Sequence, residues 1–380
     1  MKIAFLTPEY PHAKTGSSGG IGTSILNLSR ALSILGHEIS ILVYGQDKDE
    51  NFIEEGIRFY KIKNIKVKGL SLILTQKKVE RLLNNLYKSG EIEIVEATDW
   101  TGFTAFVNTK CPIVIRQNGS DTYFCHLDKR KVKYKNKFLE RRALLKADGI
   151  ISVSAFTGQL TNELMNLDRK FVVIPNSRNA ELFTPKNSNK NKKTILYFGT
   201  LIRKKGLFEL PHTFNLVHQK DREVELVLVG KDSGDVKTGS SSTWELIKPL
   251  FNQKSIKKVK YLGKVDYSEI QDLIKQASIC VFPTFAEALP VSWLEAMAME
   301  KAIVASNIGW AKEMIEDGIE GFLVHPTSHD QYANRILELL LDSDIQEKFG
   351  KAAREKVKEK FNHKLVAKRS VEFYKHLIAT

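Results

Sequence analysis

Cysteine is scarce in this 380-residue chain: it has three, Cys111, Cys125 and Cys280, and none stands at metal-ligand spacing from another. They lie in or beside apolar segments, which suits structural residues in a reducing cytoplasm. Long apolar runs are missing too, for nothing approaches the roughly 18 residues of a membrane-spanning helix. The opening MKIAFLTPEYP breaks at Thr7 and Pro8. That is too short for the core of a secretory signal and reads as a first strand. The dinucleotide fingerprint G-x-G-x-x-G stays incomplete, because Gly20 and Gly22 are followed by Ile25. A dehydrogenase is thereby disfavoured.

Negative charge is the scarcer sign, with 44 Asp and Glu against 58 Lys and Arg, a net charge of +14. The excess suits nucleic acid, an anionic membrane surface or a negatively charged substrate. No alternation of basic and aromatic residues typical of a nucleic-acid module accompanies it, so no nucleic-acid partner is expected. Much of the charge clusters in KIKNIKVK (61–68) and DKRKVKYKNKFLERRALLK (128–146). The second segment reads as a helix from about Asn136, with Phe138, Leu139, Ala143 and Leu145 as its apolar stripe. Such a segment suits anionic lipid headgroups, or is simply a solvated helix face.

What the chain does carry is concentrated in residues 279–306. A strand-like ICVFP leads into a loop with Glu287, Pro290 opens a helix, and Glu295 follows about one turn inside it. A helix N-terminus offers unpaired N–H groups and the positive end of a dipole, so it can hold a phosphate. A carboxylate five residues further in lies about 7 Å along the axis, about the reach from a diphosphate to its ribose hydroxyls. The segment reads as a nucleoside-diphosphate cradle. The Glu-x7-Glu spacing, the EAMA after it and the later EDGIEGFLVHP resemble the retaining GT-B glycosyltransferases of family 4, and the resemblance spans nearly the whole chain.

Short apolar strands alternate with helical patterns on both sides of a polar, Lys/Asn-rich stretch at 175–193, the best linker candidate. Two consecutive α/β halves with mostly parallel sheets follow. The expected architecture is two Rossmann-like domains facing a cleft, residues 1–180 with 364–380, and residues 181–363. The resemblance implies that the last helix crosses back onto the first domain.

The resemblance also distributes roles. Lys205 in YFGTLIRKKG matches the family lysine that neutralises the leaving diphosphate. The family arginine position holds Thr200, and Arg203 is the candidate replacement, since guanidinium grips phosphate oxygens bidentately. Glu287 would contact the donor sugar, Glu295 the ribose, and backbone N–H groups around Leu289, Pro290 and Val291 the diphosphate. Gly19, Gly20 and Gly22 in the loop 8–22 are further candidate donor contacts. Asn118, preceded by Gln117, stands where many members carry a sugar-contacting His; it can hydrogen-bond but not titrate. PNSRN (175–179) resembles the family P-N-G turn, with Ser177 in place of Gly. Asp99 and Asp121 are acceptor-side candidates, Asp99 equally a helix cap. The loop 231–244 suits a nucleotide- or acceptor-facing excursion.

The expected activity is transfer of a hexosyl-type group, with retention, from a nucleotide sugar to a saccharide or lipid-linked acceptor in surface-glycan synthesis. It would take place in the cytoplasm or at the inner face of the membrane. The sequence is read as lacking an Asp-x-Asp motif, in agreement with a metal-free site, and neither metal nor cofactor is expected. A nucleotide-sugar epimerase of the same fold, or a basic nucleic-acid-binding protein, are the other readings.

Overall fold

The computed structural model describes residues 1–16, 18–185 and 193–379; the middle of the expected linker lies outside them. The chain forms two compact units, Met1–Ser177 with the stretch from Phe361 onward, and Arg178–Lys360. The boundary thus falls just before the one expected after residue 180.

In unit 1 the elements run β1 (Lys2–Thr7), α1 (Gly20–Ile34), β2 (Glu38–Gln46), β3 (Glu50–Glu54), β4 (Ile57–Lys63), α2 (Ser71–Lys88), β5 (Ile94–Thr98) and β6 (Ile113–Gln117). Then come α3 (Asp121–Leu127), α4 (Tyr134–Lys146), β7 (Gly149–Ser152), α5 (Ala155–Met165) and β8 (Val172–Val173). The strands form one sheet in the order β3-β4-β2-β1-β5-β6-β7-β8. All neighbours are parallel except β3 and β4. The central strands are buried along their length and largely apolar because helices cover both faces.

Two details differ from the sequence expectation. Strand β3 is absent from the sequence-based strands; it is an exposed antiparallel edge, so no apolar alternation announces it. Its hairpin turn is Glu55-Gly56, both with positive φ, the backbone a two-residue hairpin requires. Helix α4 buries Leu139, Glu140, Ala143 and Leu144, while the expected stripe members Phe138 and Leu145 are about half exposed. Glu140 goes inward because its carboxylate accepts from the amides of Asp121 (2.9 Å) and Thr122 (3.2 Å) at the start of α3.

Unit 2 contains β9 (Thr194–Phe198), α6 (Leu210–Lys220), β10 (Glu225–Val229), α7 (Thr243–Ile247), β11 (Val259–Tyr261), α8 (Tyr267–Gln276), β12 (Ile279–Phe282), α9 (Val291–Ala298) and β13 (Ala302–Ser306). It continues with α10 (Ala311–Met314), β14 (Gly321–Val324), α11 (His329–Leu341) and α12 (Ser343–Lys360). Its sheet is parallel, in the order β11-β10-β9-β12-β13-β14.

The last helix, α13 (His363–Ala379), packs into unit 1, where Val366, Ala367, Val371 and Tyr374 join the core beneath α1. A buried polar clamp fixes it there. Arg116 on β6 donates to both oxygens of Glu96 on β5 (2.8 and 3.0 Å), to the Ile174 carbonyl (3.0 Å) and to Ser370 Oγ (3.2 Å). The Tyr374 hydroxyl donates to the same glutamate. A buried charge pair is tolerated when its remaining hydrogen bonds are made, as they are here.

Candidate active site

In an open parallel α/β sheet, ligands bind beyond the carboxyl ends of the strands, and in unit 2 the sequence-predicted residues gather there. After β9 the chain turns through Gly199 and residues 203–205 to Gly206, which has φ +74°. A Cβ at Gly206 would lie 1.7 Å from the Pro283 carbonyl oxygen, so only glycine lets this turn sit against the end of β12. The Lys204 carbonyl then accepts from Phe285 N (2.8 Å) and Thr284 Oγ1 (3.1 Å). These contacts bring the two loops together, and Lys205 pairs with Glu287. Both side chains are partly covered, so the pair is less screened than a surface one.

Helix α9 begins at Val291 with Pro290 as its N-cap, not within its first turn, and no side chain caps its amides. Its N-terminal N–H groups therefore retain anion-binding capacity. Leu289 and Pro290 are buried and Val291 is half-buried. Glu295 faces inward, 6 % exposed, and pairs with Arg178, itself 5 % exposed.

Arg203 is placed differently from expectation. It forks Asp235 with two 2.8 Å hydrogen bonds and stacks over the Phe208 ring, 3.7 Å from its centroid. The Arg203 hydrogen bond holds the Asp235 carboxyl well below the usual range, against the effect of its burial. Asp235 also accepts from Thr238 N (3.1 Å) and Oγ1 (2.8 Å). Asp232 accepts from Ser242 Oγ (2.6 Å) and from the amides of Thr243 (2.9 Å) and Trp244 (3.1 Å). The loop 231–244 is thus tied to itself and to the turn carrying Lys205, with Arg203 committed to a carboxylate rather than presented alone.

At the corresponding edge of unit 1, Glu9 accepts from Gly19 N and Gly22 N, both at 3.0 Å. At the N-terminus of α1 the amides of Gly19 and Gly22 are thus engaged by a protein carboxylate. Asp99 neither opens to solvent nor caps the turn after it. Its oxygens accept from Asn118 N (3.0 Å) and Gly119 N (3.2 Å), and burial pushes its pKa up to about 8. It is the buttress of the β6–α3 turn. Asn118 Oδ1 is buried with no protein partner among the described residues. Asp121 accepts from Asn136 Nδ2 at 2.8 Å.

Asp-x-Asp spacing does occur twice, contrary to the sequence expectation. Asp47 and Asp49 pair with Lys61 (2.9 Å) and Lys78 (2.6 Å) in unit 1. Asp342 caps the amides of Asp344 (2.9 Å) and Ile345 (3.0 Å) at the start of α12. Sequence reasoning also missed Arg178, Asp235 and Phe208 as parts of the site. The one available signal was an arginine inside the PNSRN turn; the other two carry none.

Two family models match the chain in succession: Glycosyltransferase Family 4 over residues 18–182 and Glycosyl transferases group 1 over residues 179–356. An uncharacterized glycosyltransferase of Methanocaldococcus jannaschii is 24% identical over 400 residues, covering 99% of this chain and 98% of its own. Among solved structures, sucrose-phosphate synthase of Thermosynechococcus elongatus superposes with TM-score 0.81 at 20% identity over 100% of both chains. HepE of Anabaena, in complex with UDP, superposes with TM-score 0.75 at 19% identity, covering 99% of this chain and 100% of HepE. No helix among the described residues is long and apolar enough to cross a membrane. With both family models matched in chain order and a cation–carboxylate site at the carboxyl edge of the second sheet, this chain belongs to the GT-B glycosyltransferases of group 1, family 4.

Proposed function

We propose that the chain moves a hexosyl group, with retention, from a nucleoside-diphosphate sugar to a saccharide or lipid-linked acceptor in surface-glycan synthesis. The observation that carries the donor half is the Lys205–Glu287 pair beside the uncapped N-terminus of α9. The structures of Anabaena HepE with UDP-glucose and of Staphylococcus aureus TarM with UDP and saccharide ligands support the same donor and acceptor classes.

In this reading Lys205 and the α9 amides take the charge that develops on the departing diphosphate. Preorganised donors of this kind are the largest catalytic contribution available. Glu287 keeps Lys205 in place and faces the donor sugar, and Glu295 accepts from the ribose hydroxyls. Asn118, held through its amide by Asp99, offers a hydrogen-bonding side chain without a titrating group. No residue is required to act as a base if the acceptor attacks from the face the diphosphate leaves, and the reaction needs no metal or cofactor.

Unit 1 supplies the acceptor side at the inner face of a membrane. Exposed Val67, Leu70, Tyr134 and Phe138 stand among the lysines of 61–68 and 128–146, and apolar anchors among cations suit an anionic lipid surface.

The test is a thermal-shift panel of UDP, GDP and ADP with and without Mg²⁺, followed by NMR of the product anomer. A ligand at a hundred times its dissociation constant adds about 2.7 kcal/mol. One nucleoside diphosphate should shift the melt independently of Mg²⁺, and the product should keep the donor's anomeric configuration. Inversion, or strict metal dependence, refutes the mechanism.

A further inference from the structure

We infer that Arg178 is a positioning residue for ribose recognition, and that by pinning the Glu295 carboxylate it makes the site select a ribonucleoside diphosphate over its 2′-deoxy analogue. The inference rests on the reading above, in which Glu295 takes the ribose hydroxyls.

A carboxylate as buried as Glu295 survives ionised only beside a partner charge. That partner comes from outside its own helix. Arg178 lies in the segment leading from unit 1 into unit 2, immediately after the boundary at Ser177. The segment is fastened to α9 by a second arginine. Arg354 on α12 donates to the Ala298 carbonyl at the end of α9, and also to the carbonyls of Phe183 (2.8 Å) and Ala180 (3.0 Å). Within the segment, Asn179 Oδ1 accepts from Glu181 N at 3.0 Å. The Phe183 ring lies under the Arg178 guanidinium, 5.4 Å from centroid to carbon. The place of the guanidinium is therefore set by backbone and ring contacts, before any nucleotide arrives.

The chemistry follows from the donor and acceptor inventory. An ionised carboxylate is acceptor-only and offers about four acceptor positions, so a guanidinium and a vicinal diol can share it. A neutral carboxyl presents a hydroxyl where the ribose needs an acceptor, and one free to rotate does not hold its lone pairs toward the diol. A site built to hydrogen-bond a hydroxyl rejects the analogue that lacks it, because its own buried polar group is left unsatisfied. Removing Arg178 leaves phosphate binding to Lys205 and the α9 amides and takes away the discrimination.

Calorimetric titration of the full chain with UDP, GDP and ADP, each beside its 2′-deoxy counterpart, measures the preference directly. Wild type should prefer the ribose form about tenfold or more, as expected for a hydrogen bond to a charged group. Glu295→Ala should abolish the preference. Arg178→Ala should abolish it too, with 2′-deoxy affinity within about threefold of wild type. Arg178→Met, which still covers Phe183 but carries no charge, should behave like the alanine variant and decides the matter if that variant does not fold. Equal loss of both nucleotides in the Arg178 variants, or an unchanged preference, overturns the inference. If Glu295→Ala removes the preference while the Arg178 variants keep it, the donor-site reading stands and only Arg178 is wrongly placed. No preference in wild type, an unchanged one in Glu295→Ala, or no nucleotide binding defeats both.

Discussion

Gly206→Ala should destabilise unit 2 and disassemble the donor site together, for one steric reason. Gly206 has φ +74°, and a Cβ there would meet the Pro283 carbonyl oxygen at 1.7 Å and its carbon at 2.6 Å. Close carbon–oxygen contacts in proteins run at about 3.3 Å or more, so the two loops must part by well over 1 Å. The left-handed backbone costs a residue with a Cβ about 1–2 kcal/mol, and overpacking adds about 1–3 kcal/mol. The expected loss is thus about 2–5 kcal/mol. Gly318→Ala in the same unit is the control, since Gly318 has φ +81° and nothing within 4 Å of its Cβ position. It should lose only the backbone share, about 1–2 kcal/mol. Urea denaturation of both variants gives the difference, and nucleotide titration of Gly206→Ala should show lost affinity, because the Phe285–Lys204 hydrogen bond that sets Lys205 against Glu287 goes with it. If Gly206→Ala costs no more than Gly318→Ala, the turn yields freely and the close approach is not what builds the site.

Lys205→Ala should weaken binding of the cognate nucleoside diphosphate by about 1.5–3 kcal/mol, and Glu287→Gln should cut turnover at least tenfold without loss of fold; unchanged constants move the site elsewhere. Burial holds the Asp99 carboxyl well above its ordinary range, up to about 8. The folded state therefore binds more protons than the unfolded state across that window, and the Asp99 contribution to stability falls as pH rises from about 4 to about 8. Asp99→Asn should flatten this slope in unit 1, followed by hydrogen exchange of the β5 and β6 amides; an unaltered slope contradicts the assignment. Asp235→Asn should speed proteolytic cleavage within 231–242 severalfold by releasing the Arg203 fork, and an unchanged rate would show that the loop is held otherwise. Reversing Lys133, Lys135 and Lys137 to Glu should reduce binding to vesicles containing phosphatidylglycerol, and salt should do the same to wild type.

Much of the fold was legible because strand and helix periodicity is local. Strands β9 to β14 read as apolar runs between turn residues, since helices bury both faces of their sheet. Strand β3 was not legible, as an exposed edge needs no apolar face. On α4, Leu139 and Ala143 were read correctly, but Glu140 was not, because a glutamate turns inward only when another element supplies amides for it. Arg203 looked like a phosphate ligand from its place in the turn, and nothing adjacent announces Asp235, which takes it.

From local sequence alone it could be read that a strand leads into a loop carrying Glu287 and that a helix starting next to Pro290 carries Glu295, because helical rise and the backbone chemistry of proline act over a few residues. Only the tertiary structure decided which cations those glutamates meet. Lys205 reaches Glu287 across 82 residues, and Arg178 reaches Glu295 across 117. Those meetings depend on a glycine pressed against a strand end and on a segment fastened by Arg354. Steric fit between distant segments leaves no periodic trace in the chain, so it appears only once the sheet has closed around it.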